Sequence, residues 1–452
     1  IMLGCSLSDG ATLTQFTQLF TMETSMKKNL ITLSILSVMG TASTLAVAAT
    51  NVELYGTVNV AFEKRGDSKI TLQPQDYQYA SKFGIKGRED LGNGYAAIFR
   101  LEAQINPDVG SGTYGSTGTE FGFNRESWVG LITPVGAVRV GRSTAPLVNM
   151  WIGGGFGAGR GIGEFTGGLV GAGLRTTHPE VASRWSNALF YDVKKGGFAA
   201  GAAITTKGSQ SPVPTGFFAG SALDTSIDNE GKPDTKSAWG AYARYEGTMG
   251  RHGYKVGAAY QKDNGGSYSS AFTSNNAPAE GKDAYALAAA YSYGPVGLSV
   301  GYAKAEIDNS NLPLANAVPA IPYALRTGTS KTLFAAIDYK ITPKDKVYFS
   351  YGNYKRNNTY QFNPAISGAG EIEGTQYSIG YEHALSKRTV VYLNARKVGN
   401  ITNECSASMM GTTLPSAHPA YTATCGAAKA RVDAVLNPEK DYSYDIGLSH
   451  SF

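Results

Sequence analysis

Five histidines are the residues of this chain best suited to acid–base chemistry, because imidazole titrates near neutral pH. His178 and His418 fall in long irregular segments, His252 and His383 lie near short turns, and His450 is close to the carboxyl end. None of them falls in a strand beside a candidate nucleophile or carboxylate, as a catalytic constellation would require. The sequence also lacks CxxC, HExxH and Walker-type motifs. We therefore expect no enzyme, no metal site and no cofactor.

A second set of chemically active residues consists of basic side chains that alternate with apolar ones. In a strand, Arg100 and Glu102 would share one face, and Phe99 and Leu101 would share the other. Arg139 likewise alternates with the valines on either side of it. Successive side chains of a strand point to opposite faces, so these charges would lie opposite an apolar face. Charges that line an aqueous passage concentrate counter-ions and retard ions of the same sign.

The strands that would position such charges are clearest at residues 441–452. Tyr444, Ile446 and Leu448 fall on one face, and Asp445 and Ser449 fall on the other. An apolar face opposite a polar face, ending on an aromatic residue, is typical of a barrel strand with lipid outside and water inside.

The rest of the chain from residue 53 repeats a unit of strand, short turn, strand and long polar segment. Short turns are predicted at 89–93, 133–134, 194–196, 247–251, 294–297, 342–344 and 384–386. Long segments are predicted at about 143–182, 208–235, 263–280, 308–327, 357–372 and 399–437. Because alternating short and long connections mark outer-membrane barrels, we predict an all-β fold. It would be a 16-stranded antiparallel transmembrane β-barrel whose first and last strands pair.

The amino-terminal region reads as a targeting signal. Met26, Lys27 and Lys28 precede an apolar run to about Val47 that ends in an A-x-A cleavage site. We therefore expect an upstream extension at residues 1–25 that is absent from the working protein, a signal peptide at 26–48, and a barrel domain at 49–452. The net charge of +5 is too mild to favour nucleic acid as a partner.

Two cysteines, Cys405 and Cys425, remain after the expected processing, both in one irregular segment. In an exported protein we expect them to form a disulfide that closes this segment, with two free thiols as the alternative.

Several motifs resemble, in order and spacing, those of trimeric sixteen-stranded general porins, closest to the β-proteobacterial branch. They are ELYGTV at 53–58, SKFGIKG at 81–87, EDLGNG at 89–94, FNRESWVGL at 123–131 and VRVGR at 138–142. The resemblance implies a homotrimer in the Gram-negative outer membrane that passes small hydrophilic solutes by passive diffusion. It also implies contact with membrane lipid and lipopolysaccharide, and insertion by the barrel assembly machinery with Phe452 as part of the assembly signal.

The resemblance further implies that the third long segment, about 143–183, is a constriction loop folded into the lumen. Its GEFTGG stretch at 163–168 resembles the tip of such loops, which makes Glu164 the acidic partner and places Arg160 and Arg175 nearby. Glycine suits a loop packed inside a barrel because it allows tight turns and close backbone approach. A flexible surface loop is the alternative.

The basic wall of the family maps onto Lys82, Arg125 and, at a loop–strand junction, Arg184. Arg100 and Arg139 join this wall by parity alone. Phe190 stands where many relatives carry an arginine before a Tyr-Asp pair, which removes one basic position. We expect a weak preference for anions.

A substrate-preferring channel or an adhesin-like barrel is the alternative function. The aromatic residues Trp151, Phe156 and Phe165 near the third long segment would suit a channel with ligand preference.

Overall fold

The computed structural model describes the chain from residue 51 to residue 452, with several gaps. The described residues are 51–74, 80–110, 122–156, 184–206, 237–263, 266–267, 278–279, 282–308, 324–363, 366–409, 412–413, 416 and 442–452. The upstream extension and the signal peptide expected at 1–48 lie outside them.

Sixteen long strands form one antiparallel sheet. The first eight are β1 (Asn51–Arg65), β2 (Lys82–Gly92), β3 (Tyr95–Gln104), β4 (Glu126–Thr133), β5 (Gly136–Thr144), β6 (Arg184–Lys195), β7 (Phe198–Thr205) and β8 (Ala238–Met249). The others are β9 (His252–Asp263), β10 (Lys282–Tyr293), β11 (Val296–Asp308), β12 (Ala324–Lys340), β13 (Asp345–Asn363), β14 (Ile366–Ala384), β15 (Thr389–Met409) and β16 (Tyr442–Ser451). Four short strands, at Thr71–Pro74, Gly266–Ser267, Pro278–Ala279 and Thr412–Thr413, decorate this sheet or its loops.

The sheet closes on itself, as the sequence predicts. Each long strand pairs with its neighbours in the chain, and β1 pairs with β16 from Thr57 opposite Ser451 to Arg65 opposite Ser443. Phe452 completes the seam, because its backbone N–H donates to Gly56 and its carbonyl accepts from Gly56. Closure leaves none of the sixteen long strands described here at an open edge of the sheet, which a lipid environment would penalise. The all-β, 16-stranded barrel is confirmed.

Alternating side chains give the wall an apolar outer face and a polar inner face. On β16, Tyr444, Ile446 and Leu448 are exposed while Asp445 and Ser449 are buried. The same contrast runs around the barrel, where large exposed hydrophobic residues alternate with buried small or polar ones. On β16 the buried face carries Asp445, and the buried face must be the inner one because the barrel is closed.

Two of the predicted long segments are shorter than expected. Residues 357–372 belong mostly to β13 and β14, which extend as a hairpin to Asn363 and from Ile366. Strand β15 likewise runs to Met409, so 399–409 is regular rather than irregular. The polar composition around Asn357 and Asn358 predicts a loop. The backbone of these residues nevertheless pairs with the adjacent strand, because backbone hydrogen bonds form whatever the polarity of the side chains. Cys405 therefore lies in a strand, opposite Gly370.

One helix, α1 (Pro146–Gly153), follows β5 and packs on the inner face of the barrel. Proline occupies its first turn, where a missing N–H costs nothing. Leu147, Met150 and Trp151 are buried in one cluster with Ala286 and Phe334 of the wall. Eight residues are too few for a stable isolated helix, so this packing holds α1 in place. No helix among the described residues is long and apolar enough to cross a membrane.

Candidate functional site

A buried carboxylate organises the charged part of the inner wall. Glu102 on β3 is only 4% exposed, and it accepts a hydrogen bond from Arg125 Nε at 2.7 Å. The Lys82 ammonium lies 3.9 Å from the same carboxylate, and the Tyr55 hydroxyl donates to it at 2.8 Å. A buried charge is tolerated only when it is paired and hydrogen-bonded, so these three side chains hold Glu102 ionised.

A second carboxylate lies beside the first. Glu126, at the start of β4, is directly opposite Glu102 in the sheet register. It accepts hydrogen bonds from Trp128 Nε1 at 2.8 Å, Ser143 Oγ at 2.6 Å and Thr144 Oγ1 at 2.8 Å. Since these donors are all neutral, they fix the carboxylate without cancelling its charge.

Arg139 anchors the next row of the wall. Its Nη2 lies 2.6 Å from Asp192 Oδ2, its Nη1 donates to Ser143 at 2.7 Å, and its guanidinium sits 5.1 Å from the Trp128 ring. Tyr242 also donates to Asp192, at 2.9 Å. Paired and stacked arginines are rigid, so this row presents charge at a defined place on the wall.

Arg100 and Arg184 complete the charged wall. The Arg100 guanidinium lies 5.8 Å from the rings of both Tyr55 and Trp128. Arg184 begins β6 opposite Thr144, within electrostatic range of Lys82. We call the whole set the basic inner-wall cluster: Lys82, Arg100, Arg125, Arg139 and Arg184 with Glu102, Glu126 and Asp192. Five bases against three acids leave the cluster net positive.

The helix α1 lies on a different part of the inner wall, over β8 to β12. Trp151 packs on Phe334 with ring centroids 5.0 Å apart, and Phe156 is also buried in this contact. Two wall cations contact α1: Arg244 donates to the Asn149 carbonyl at 3.1 Å, and Lys255 donates to the carbonyl of Gly154, the residue that caps the helix, at 3.3 Å. A cation suits the carboxyl end, where helix carbonyls are unpaired.

One histidine does lie beside a carboxylate, contrary to expectation. His383 on β14 is directly opposite Asp345 on β13, and their side chains are 2.7 Å apart. Asp345 also accepts from Tyr381 and Thr342, so it ties the short turn between β12 and β13 to the next strand. The sequence did not reveal the pair because 38 residues separate its members. Within the described part of the chain, no group of three His, Cys, Asp or Glu residues is arranged to hold a metal ion.

The match to a family of known proteins covers most of the chain. Residues 34–403 match the family described as Gram-negative porin. The chain is a Gram-negative porin. With the closed barrel, this membership places it in the Gram-negative outer membrane.

Curated relatives of the porin share parts of it. Outer membrane porin protein 32 of Delftia acidovorans is 37% identical over 147 residues, which are 31% of this chain and 39% of the relative. Major outer membrane protein P.IB of Neisseria lactamica is 36% identical over 141 residues, which are 28% of this chain and 37% of the relative. The chain thus matches less than two fifths of the length of these proteins.

Solved structures resemble the porin over nearly its whole length. The anion-selective porin from Comamonas acidovorans has a TM-score of 0.54 and 20% identity, over 89% of this chain and 100% of that one. The trimer form of OmpT from Vibrio cholerae has a TM-score of 0.51 and 14% identity, over the same shares. At these identities the likeness shows the fold alone.

The structure brings together the wall residues that the sequence singled out, but not those of the loop. Lys82, Arg100, Arg125 and Arg139 lie on the inner wall, and Arg184 lies at the start of β6 beside them. Arg160, Glu164, Arg175 and Cys425 lie outside the described residues, as do all of 157–183.

Three acids of the porin wall were not predicted as site residues. Glu102 shares the parity of Arg100, and Glu126 shares that of Trp128, so alternation could have placed both on the inner face. Asp192 requires the register between β5 and β6 to bring it to Arg139. The basic wall is therefore internally compensated, which counting cations along the sequence does not show.

Proposed function

We propose that this porin forms a water-filled channel for passive diffusion of small hydrophilic solutes and ions, with a weak preference for anions. The observation that carries the proposal is the basic inner-wall cluster. Its bases outnumber its acids, and it lies on the inner face of a closed barrel whose interior water would fill. Fixed charge of one sign along a wet passage raises the concentration of the opposite ion. The structural neighbour from Comamonas acidovorans is an anion-selective porin, which agrees with this sign.

Compensation explains why the preference should be weak. Lys82 and Arg125 together carry two positive charges, and Glu102 between them removes one. Glu126 and Asp192 reduce the remaining excess further. A passage lined in this way retains a modest net positive charge, rather than the bare basic ring that the sequence suggests.

We further propose that residues 143–183 act as the constriction loop of the channel. The support is α1, which begins this segment and packs on the inner wall with Trp151 and Phe156 buried. Glu164, Arg160 and Arg175 would then lie across the passage from the basic inner-wall cluster. Because Trp151 and Phe156 are occupied by packing, they offer little to a passing ligand, and this weakens the alternative of a substrate-preferring channel.

The assembled state that we propose is a homotrimer in contact with outer-membrane lipid and lipopolysaccharide. The Vibrio cholerae neighbour described as a trimer supports the stoichiometry. We also propose that Phe452 contributes to recognition by the barrel assembly machinery, since its ring is 42% exposed on the outer face at the seam. A disulfide between Cys405 and Cys425 remains a proposal, to be tested by mass spectrometry with and without reductant.

The sign of selectivity is tested by the zero-current potential of the purified porin in a planar bilayer under a KCl gradient. We expect chloride to be favoured in the parent protein. Lys82→Gln with Arg125→Gln leaves Glu102 uncompensated and brings the cluster to three bases against three acids, so this double variant should lose the chloride preference. A unit charge about 8 Å away in water changes an ion's energy by about 0.5 kcal/mol, and salt screens part of that. We therefore expect the chloride-to-potassium permeability ratio to fall at least about threefold.

The control for this experiment removes two positive charges at a site that lies far from the passage. Lys387→Gln with Arg388→Gln changes two exposed cations in the short turn between β14 and β15. Adding Glu102→Gln to the Lys82 and Arg125 changes restores local neutrality and keeps the variant foldable. A ratio that stays the same in the double variant, with folded trimers, would refute the charge assignment.

Replacing Glu102 alone should move selectivity in the other direction. Glu102→Gln keeps the shape of the side chain but leaves Lys82 and Arg125 without their counter-charge. We expect stronger chloride preference and a free energy of unfolding lower by about 1–3 kcal/mol, the range for losing charged hydrogen bonds. The two readouts are the zero-current potential and urea unfolding in detergent. An unchanged potential would mean that this carboxylate does not influence passing ions.

A further inference from the structure

The inner face of the barrel is built from small residues where α1 rests on it. One row of directly opposed residues crosses β9, β10, β11 and β12 as Gly257, Ala288, Gly301 and Phe334. The next row crosses β9, β10 and β11 as Ala259, Ala286 and Ala303. We call the six glycines and alanines of these two rows the small-residue socket. Because the inner face of a water-filled barrel is ordinarily polar, this apolar patch is suited to a permanent cover.

Large side chains of α1 and of the residues after it fill the small-residue socket. Met150, Trp151 and Phe156 are buried in one cluster with alanines of the socket. Protein interiors are packed about as densely as organic crystals, so such a contact leaves little free space. The depth of the socket therefore fixes how far α1 projects into the lumen.

Gly257 lies where the contact between α1 and the wall is closest. A Cβ atom at this position would lie 2.7 Å from Phe156 Cε2 and 2.8 Å from Met150 Sδ. Carbon atoms pack about 3.5–4.0 Å apart, so the Phe156 ring would have to move by about 1 Å. The backbone does not require glycine here, since the φ angle of Gly257 is not positive. The absence of a side chain is what the contact uses.

Gly301 repeats this arrangement two strands away. A Cβ atom there would lie 2.5 Å from Trp151 Cη2, and it would also meet the ring of Phe334, the residue directly opposite. The φ angle of Gly301 is not positive either. Because the sheet backbone lies behind both rings, they could move only toward the lumen.

We infer that Gly257 and Gly301 determine how close α1 lies to the wall, and therefore how wide the channel is at that level. They are positioning residues, because they act through the side chains of Phe156 and Trp151. The inference rests on the proposal that the segment beginning with α1 is the constriction loop. A methyl group at either position would lift α1 toward the lumen and narrow the passage.

The test combines single-channel conductance with urea unfolding of the intact porin in detergent. Gly257→Ala should lower the conductance, and adding Gly301→Ala should lower it further. Phe156→Leu removes the two ring atoms nearest to position 257, so by itself it leaves a void and lowers the urea midpoint. Gly257→Ala combined with Phe156→Leu should bring both the conductance and the urea midpoint back toward the parent values. This compensated variant should fold even if Gly257→Ala alone does not.

Gly253→Ala is the matched control. Gly253 lies on the same face of β9, where a Cβ atom would meet only the side chain of Ser292, whose hydroxyl can rotate away. The substitution adds the same methyl group without touching α1, so the conductance should stay at the parent value.

Three outcomes would overturn the inference. They are parent-like conductance in the variant with both Gly257→Ala and Gly301→Ala, a conductance above that of the parent, and additive losses of stability when Gly257→Ala is combined with Phe156→Leu. Trp151→Ala distinguishes these failures from failure of the constriction proposal. If Trp151→Ala changes the conductance and the glycine variants do not, the loop constricts the channel but the socket does not set its position. If none of them changes it, the constriction proposal itself is wrong.

Discussion

Replacing Trp151 with alanine should free the start of the third long segment and raise the conductance of the open channel. Trp151 is 6% exposed and packs on Phe334 against a wall of small residues that includes Ala286 and Ala303. Truncating a buried tryptophan costs about 3–5 kcal/mol. The eight residues of α1 cannot supply that stability themselves, so the helix should leave the wall. Single-channel recordings should show larger and noisier openings, because the segment that we propose as the constriction loop is no longer held at its start.

The chain offers a matched control for this change. Trp239 lies on the outer face of β8, is 43% exposed, and contacts Tyr260 with tilted rings whose centroids are 5.3 Å apart. Trp239→Ala removes the same side chain without touching α1, so conductance should stay at the parent value. Trp151→Phe should restore part of the packing and give intermediate openings. Parent-like conductance in a folded Trp151→Ala variant would show that α1 does not hold a constriction in place.

Replacing Arg396 with alanine should destabilise the seam that closes the barrel. Its side chain is 7% exposed on β15, and its Nη2 lies 2.9 Å from Glu63 on β1 and 3.3 Å from Asp445 on β16. The arginine thus links the three strands that close the barrel. Removing it takes a positive charge away from the buried Asp445 and the part-buried Glu63, and breaking a buried ion pair costs about 3–5 kcal/mol. Urea unfolding in detergent, followed by heat-modifiable gel mobility, should shift to lower denaturant concentration.

Two further variants separate charge from packing at this seam. Adding Glu63→Gln and Asp445→Asn to Arg396→Ala should recover much of the lost stability, because the buried charges disappear together. Lys397→Ala changes the neighbouring residue, which is exposed on the outer face, and should cost little. If Arg396→Ala unfolds like the parent protein, the seam is held by backbone pairing alone.

Local pattern was sufficient to predict the barrel and much of its wall. Alternation in β16 places Ile446 and Leu448 outside and Asp445 inside, because side-chain direction in a strand has a period of two. The same rule placed Lys82, Arg100 and Arg139 on the inner face. Local pattern failed where a polar stretch was interpreted as a loop. Residues 357–372 were predicted to be irregular, yet β13 and β14 continue through most of them. Backbone hydrogen bonding does not depend on side-chain polarity.

Only the tertiary structure decided how the charges are partnered. The sequence determined which residues face inward, but the register between strands decided that Glu102 meets Arg125, that Asp192 meets Arg139, and that Asp345 meets His383. Register is a property of strand pairs, and one strand's sequence does not contain it. Lys304, Lys331 and Lys355 are likewise far apart in the chain and adjacent only across the sheet. The periodicity of the sequence therefore determined the fold and the two faces of the wall. Strand pairing decided which charged side chains meet on each face.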